Sequence, residues 1–294
     1  MIIEAVVENL QVKQSIFKTL EQNAKPEAIL ATNTSSILLD EINTVMQHPE
    51  RLVGIHFFNP VAKMMLVEVV KGEQTNNAVM NKAIGFVRAI DRLPLPVKSS
   101  PGFLVNRILM PYLMEAVVLL EEGVPAVAID KAMTEFGMPM GPITLADYVG
   151  LDVCYSVAKY FVQYFNNPIP DRLLELVEKK KFGRKSGEGF YAYDKKGKQI
   201  KPTTEAKTEK SLDEISDRLV LCMLNEAFAC LREGVITDGD LLDAGMIFGT
   251  GFAPFRGGPI HYAKEKGIKE LYQQYIKQQA MKGEKKKTPS WETA

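Results

Sequence analysis

The chain has no excess of either charge. Its 36 Lys and Arg are balanced by 36 Asp and Glu, for a formal net charge of +0 at pH 7. Such a chain lacks the basic field that draws a protein onto nucleic acid or an acidic membrane surface, so neither is an expected partner. Cysteine is scarce: Cys154, Cys222 and Cys230 are odd in number, scattered, and set among apolar neighbours. No two of them have zinc-ligand spacing, so no metal site is expected, and they read as buried thiols of a reducing compartment. No apolar run reaches the roughly 18 residues that a membrane helix needs. The N-terminal residues do not have the pattern of a signal or transit peptide, which fits a cytoplasmic protein. Histidine is equally scarce, with only His48, His56 and His261. Proton chemistry near neutral pH therefore has few candidates.

What the chain does have is an ordinary globular composition, 46% hydrophobic and 24% charged over 294 residues, with room for two or three domains. Its most informative stretch runs Gly54-Ile55-His56-Phe57-Phe58-Asn59-Pro60-Val61-Ala62-Lys63-Met64-Met65-Leu66-Val67-Glu68-Val69-Val70. His56 sits in one apolar run, and Glu68 follows at the end of another. Polar groups in such runs need partners when buried. A histidine beside a buried carboxylate is a candidate general base, because the carboxylate fixes the tautomer and favours the imidazolium. Met64 and Met65 read as packing residues.

Periodicity places these residues. Residues 1–8 read as a strand, residues 9–23 as an amphipathic helix, and residues 28–32 and 51–57 as short buried strands, the alternation of an α/β parallel sheet. Ligands of such sheets bind at the carboxyl ends of the strands, where Glu8, the Asn33-Thr34-Ser35-Ser36 turn and His56 are expected. The second half is helical. Pro101-Gly102 precedes a helix expected over about 106–122, closed by Gly123. Further helices are expected over 126–136 and 145–164, then a basic turn over 179–185 and a compact loop at Gly187-Glu188-Gly189-Phe190-Tyr191. Residues 194–211, rich in Lys, Thr and Gly, read as a linker. A weak repeat spans this half: Leu113-Met114-Glu115-Ala116 recurs as Leu224-Asn225-Glu226-Ala227, and Glu122-Gly123-Val124 as Glu233-Gly234-Val235. Phe136-Gly137 and Gly141-Pro142 likewise recur as Phe248-Gly249 and Gly258-Pro259. Two helical units in tandem are expected.

Taken in order, the Asn33-to-Ser36 turn, the 54–70 stretch, Pro101-Gly102-Phe103-Leu104-Val105-Asn106-Arg107, Gly141-Pro142 with Asp147-Tyr148-Val149-Gly150-Leu151-Asp152, and residues 181–191 resemble the 3-hydroxyacyl-CoA dehydrogenase family. The second helical unit resembles the last domain of multifunctional fatty-acid oxidation α-subunits. The resemblance implies an α/β fold: a partial Rossmann-type NAD-binding domain over 1–98, followed by two tandem all-α domains over 99–195 and 196–294. It implies an L-3-hydroxyacyl-CoA substrate, NAD as cofactor, and either a homo-oligomer or a complex with a thiolase β-subunit. It also implies roles. His56 is the base and Glu68 its partner. Ser35 and Asn106 lie near the substrate hydroxyl and carbonyl. Glu8, Lys13, Ser35 and Asn59 lie around the nicotinamide and its ribose. Apart from the resemblance, the basic turn over 179–185 is a candidate contact for CoA phosphates, which basic side chains favour.

Plainer readings stand beside these. Glu68 can be a surface charge at a strand end, Ser35 a cap for a helix near Leu38, Asn106 a helix residue making only backbone bonds, and Glu8, Lys13 and the basic turn solvated charge. One departure from the family bears on function. The first glycine is Gly54, so no glycine-rich phosphate loop precedes the His motif, and the chain reads as starting at a late strand of the sheet. Impaired NAD binding is expected, with a catalytically silent helical module as the alternative. Other 3-hydroxy acid or sugar-acid dehydrogenases on the same scaffold are a second alternative. A mitochondrial or peroxisomal setting stays open beside the bacterial cytoplasm.

Overall fold

The computed structural model describes residues 1–165, 168–200, 208–281 and 291. Two compact units are formed, one from Met1–Arg107 with Cys230–Thr250, the other from Ile108–Ala229 with Gly251–Ala294.

The first unit is built on a five-stranded sheet, in the order β1 (Ile2–Glu4), β2 (Leu30–Thr32), β3 (Leu52–Phe57), β4 (Leu66–Lys71) and β5 (Leu93–Lys98). The strands read from sequence, β1, β2 and β3, are parallel as expected, and β4 and β5 are parallel to each other, but β3 and β4 are antiparallel. The reason is chain length. Residues 58–65 join β3 to β4, fewer than the dozen or so that a parallel crossover requires. β1 is also shorter than expected. The Glu4 side chain accepts the Val6 amide at 2.7 Å, a local bond that competes with extending the ladder, and Val6 and Val7 lie exposed beyond it. The Pro residues of β5, Pro94 and Pro96, are tolerated because that strand pairs only with β4.

Side chains alternate across the sheet. Ala31, Val53, Ile55, Val67 and Val69 form one face and pack with Met80, Ala83 and Val87 of a helix spanning Asn77–Ala89. That helix starts at Asn76, whose side chain accepts the Ala78 amide. The opposite face carries Gly54, His56, Glu68 and Val70. The helix Leu10–Asn23, with Asn9 as its N-cap, follows β1 and buries Lys13 and Phe17. Behind β5 the chain turns through residues 99–104 into α4 (Val105–Glu121), and Lys98 donates its amide to the Val235 carbonyl at 2.8 Å. For uniform numbering the preceding helices are α1 (Leu10–Asn23), α2 (Leu39–Ile42) and α3 (Asn77–Ala89).

The helical half continues with α5 (Ala126–Phe136), α6 (Pro142–Val149), α7 (Leu151–Phe161), α8 (Asp171–Glu178), α9 (Leu212–Arg232), α10 (Gly239–Thr250), α11 (Pro259–Lys266) and α12 (Ile268–Met281). The helix expected over 145–164 is broken in two at Gly150, whose φ of 106° a side chain would strain. The repeat is visible in the elements: α4 to α7 are echoed by α9 to α12, and Gly267, at φ 95°, stands where Gly150 does. The division into compact units does not follow the repeat, since α10 belongs to the first unit. In the second unit the Asp147 carboxylate accepts the Phe190 and Tyr191 amides and the Tyr193 hydroxyl, which fixes the loop expected at 187–191. Within the basic run, Lys181 pairs with Glu188 and Lys185 with Asp152, both at 2.5 Å and both solvent-exposed. Of the expected linker, residues 194–200 form a bonded turn, with Ile200 donating to Ala192 at 2.8 Å, and residues 201–207 lie outside the described residues. Cys154, Cys222 and Cys230 are buried and form no disulfide.

Gly54 marks where the sheet is tightest. A Cβ there would lie 2.7 Å from the Val70 Cβ across the β3–β4 pair. Gly54→Ala is expected to lower stability by about 1–3 kcal/mol through overpacking; urea denaturation measures it, and an unchanged midpoint would contradict this packing.

Candidate active site

His56 and Glu68 are direct cross-strand partners, His56 on β3 opposite Glu68 on β4. Their spacing of twelve in the sequence is therefore the geometry of a hairpin. Glu68 was expected at the end of an apolar run and lies instead within its strand, fully buried, which excludes the surface-charge reading. Its Oε2 is 2.7 Å from His56 Nδ1. Its Oε1 accepts the amides of Leu104 at 3.0 Å and Val105 at 2.9 Å. Those two N–H groups belong to the start of α4, where helix amides have no intrahelical partner and the dipole favours an anion. A carboxylate buried without such donors would cost several kcal/mol, about as much as breaking a buried ion pair. With three donors on it, Glu68 is satisfied as the anion.

An anionic Glu68 sets the histidine tautomer. Its oxygen accepts the proton on Nδ1, which leaves Nε2 as the basic nitrogen. His56 is only 5% exposed, and Nε2 has no hydrogen-bond partner among the described residues. The ring lies between Phe58, with centroids 4.5 Å apart, and Phe103, at 5.8 Å. Phe103 is itself strained: its φ of 55° is in the left-handed region, which costs a non-glycine residue about 1–3 kcal/mol and persists only where surrounding contacts hold it.

A second polar cluster lies at the ends of β1 and β2. Glu8 Oε1 accepts the Thr34 hydroxyl at 2.6 Å, the Ser35 amide at 2.9 Å, the Ser36 amide at 3.2 Å, and the Ser36 and Ser35 hydroxyls at 3.1 and 3.3 Å. Its Oε2 is 3.4 Å from the Lys13 ammonium. Lys13 is 1% exposed and donates to both oxygens of buried Glu4, at 2.9 and 3.2 Å. The solvated reading of Lys13 is thereby corrected: its ammonium is held between two carboxylates. Ser35 does not cap α2; the local turn is closed by Thr34, whose Oγ1 accepts the Ile37 amide at 3.1 Å. Asn106 Nδ2 donates to the Ser35 carbonyl at 3.0 Å, so Asn106 does more than make backbone bonds. Asn59 is exposed in the 58–65 connection, and its side chain makes no hydrogen bond among the described residues.

The structure thus joins His56 with Glu68, Glu8 with Ser35 and Lys13, and Ser35 with Asn106. Glu4 was not singled out from sequence, and Asn33 and Thr34 were singled out only as parts of the 33–36 turn, without roles of their own. Asn33 Oδ1 accepts the Phe57 amide at 3.0 Å and ties the β2 end to the β3 end. Glu4 carried the same signal as His56, a polar residue in an apolar run. The amides of Leu104 and Val105 carry no side-chain signal at all.

Burial pushes the Glu8 carboxyl up, but the Thr34 hydroxyl, the Lys13 charge and the Ser35 and Ser36 donors outweigh it and hold the group below its usual 4.5. A carboxyl lowered on folding adds stability above its unfolded value that is lost as pH falls through the folded one. The stability difference between wild type and Glu8→Gln is therefore expected to be constant near neutrality and to shrink below pH 4.5. Urea midpoints across pH measure it, and a difference undiminished at about pH 3 would contradict it.

Residues 1–100 match the NAD binding domain of 3-hydroxyacyl-CoA dehydrogenase, and residues 102–193 match the C-terminal domain of the same family. The chain is 42% identical over 281 residues to the fatty acid oxidation complex subunit alpha of Vibrio vulnificus (strain CMCP6), a match covering 92% of this chain and 40% of that protein. It thus spans about two fifths of the length of that relative. Among solved structures, the 3-hydroxybutyryl-CoA dehydrogenase of Escherichia coli K12 superposes with a TM-score of 0.83 at 26% identity, covering 96% of this chain and 78% of that one. The dehydrogenase part of multifunctional enzyme 1 from C. elegans gives 0.58 at 33% identity, over 84% and 60%. With both domains of the family matched in sequence and its fold matched in structure, this chain belongs to the 3-hydroxyacyl-CoA dehydrogenase family.

Proposed function

We propose that the chain carries the proton-transfer machinery of an L-3-hydroxyacyl-CoA dehydrogenase of fatty-acid β-oxidation. The observation that supports this most is the His56–Glu68 pair, with Glu68 held by the Leu104 and Val105 amides. In the proposed reaction the 3-hydroxyl of the acyl-CoA gives its proton to His56 Nε2. The imidazolium that forms faces an ionised Glu68, which stabilises the charge and does not itself take the proton. NAD, when bound, supplies the acceptor for the hydride that leaves C3, and the product is the 3-ketoacyl-CoA.

Ser35 and Asn106 are the proposed contacts of the substrate hydroxyl and carbonyl. Asn106 spends one N–H on the Ser35 carbonyl, which leaves its other N–H and its oxygen for a ligand. Glu8, Ser35 and Asn59 are proposed at the nicotinamide and its ribose. Buried Lys13 contributes there by holding Glu8.

The residues present fit one end of the dinucleotide and not the other. The turn from β1 to α1, residues 5–9, has no glycine and carries Glu8, and the Asn9 side chain already occupies the Val12 amide. Gly54 lies within β3 against Val70 and is no phosphate loop. Among the described residues there is no pyrophosphate cradle. This supports a second reading, in which the chain by itself is nearly silent and its helical half mediates contacts with a second copy or with a thiolase β-subunit. The bacterial cytoplasm is the proposed setting, from the relatives' names; among the described residues no helix is long and apolar enough to cross a membrane.

NADH formation followed by absorbance tests the main reading. With 3-hydroxybutyryl-CoA the chain is expected to turn over slowly, at a rate that rises with NAD without saturating. His56→Gln should cut the rate by about 100-fold or more and free 3-hydroxybutyrate should be a poorer substrate. Equal rates for wild type and His56→Gln would contradict the role of the base. Saturation at micromolar NAD would contradict the absence of the cradle, and equal use of the free acid would favour a 3-hydroxy acid dehydrogenase.

A further inference from the structure

Arg107 is a buried charge close in sequence to the amides that hold Glu68. It is 3% exposed, on the first turn of α4, two residues beyond the second amide that holds Glu68. A buried guanidinium is retained only where its donors are met and charge faces it. Here NH1 donates to the Ser100 hydroxyl at 2.9 Å, and NH2 pairs with Glu233 Oε2 at 2.7 Å. Both partners belong to the first compact unit.

The two partners bracket the turn that supports the base. The Ser100 carbonyl accepts the Phe103 amide at 2.8 Å, closing the residues that hold Phe103 at its unfavourable φ. The Gly102 amide is tied to Ser36 O at 3.2 Å, and Arg107's own amide to Gly102 O at 3.2 Å. From this turn emerge the Leu104 and Val105 amides, and the Phe103 ring faces His56. Glu233 comes from elsewhere in the chain. It follows α9 directly, in the Glu233-Gly234-Val235 stretch that repeats Glu122-Gly123-Val124, and the Val235 carbonyl accepts the Lys98 amide at 2.8 Å at the end of β5.

We propose that Arg107 is a positioning residue for His56, and that the Glu233 turn of the second helical repeat exists in part to hold it. The link runs from Glu233 to Arg107, through Ser100 and the 100–105 turn to the Leu104 and Val105 amides, then to Glu68 and His56. Arg107 touches neither a reacting atom nor the histidine. It fixes the amides that keep Glu68 aimed at Nδ1. This inference rests on the dyad proposed above as the base.

The test is NMR of the whole ¹⁵N-labelled chain. The signal is the His56 Nδ1–H proton, identified by its loss in His56→Gln, together with hydrogen exchange of the Leu104 and Val105 amides. Wild type is expected to show a protected Nδ1–H. Arg107→Met should lose it and speed exchange of both amides by about tenfold or more. Arg107→Lys, which keeps the charge without the fork, should recover part of it. Glu233→Gln should act in the same direction and more weakly, and added to Arg107→Met it should change little. Variants with lowered melting temperature but an unchanged Nδ1–H signal and unchanged exchange would make Arg107 merely structural and overturn the proposal. If Arg107→Met does not fold, Glu233→Gln decides, because Glu233 is half exposed and an unchanged signal there overturns it equally. A wild-type chain lacking the Nδ1–H signal would remove the dyad itself, and both proposals with it.

Discussion

The site depends on one anion in the interior. Glu68 has no contact with water, so its charge survives only because the protein supplies donors. Two of those come from backbone at the start of α4 and one from the histidine. Each demands something of the fold. The hairpin register must bring Glu68 opposite His56. The turn after β5 must deliver a helix N-terminus to the same oxygen. Gly54 must be small enough for β4 to approach on that face. A carboxylate placed this way leaves one defined nitrogen of a scarcely exposed histidine for the role of base proposed for it.

Much of this was legible in the sequence, and the legible parts share a cause. Apolar periodicity locates strands and helices because burial imposes it, so β2, β3, α1, α4 and α5 fall near their expected ranges. His56 and Glu68 stood out because polar residues in apolar runs need partners. Pairing direction is not encoded that way. The antiparallel turn between β3 and β4 follows from a short connection over residues 58–65, and the turn signal there, Asn59-Pro60, marks a turn without saying which way the next strand runs. Gly150 ends α6 through a backbone conformation that helical periodicity passes over. The amides on Glu68 were invisible because every residue has one. The plainer reading of Lys13 as a solvated charge stayed open in the sequence because its partner Glu4 lies in a different element, brought near by the β1–α1 turn.

Cofactor binding and proton transfer draw on different parts of the chain. Polar groups at the strand ends, Glu8, Ser35 and Asn106, are tied to one another, and Glu8 is saturated on one oxygen by the 34–36 turn. That cluster is ordered by its own bonds and needs no ligand to form. The β1–α1 turn carries Glu8 and no glycine. Family membership fixes the scaffold and its ancestry.

The central claim is that Glu68 fixes His56 with its proton on Nδ1. The direct measurement is the pair of ring ¹⁵N chemical shifts of His56 at a pH where the ring is neutral. The account requires a protonated, pyrrole-like Nδ1 and an unprotonated, pyridine-like Nε2. The reverse assignment, or two averaged shifts of a ring exchanging freely between tautomers, would contradict it.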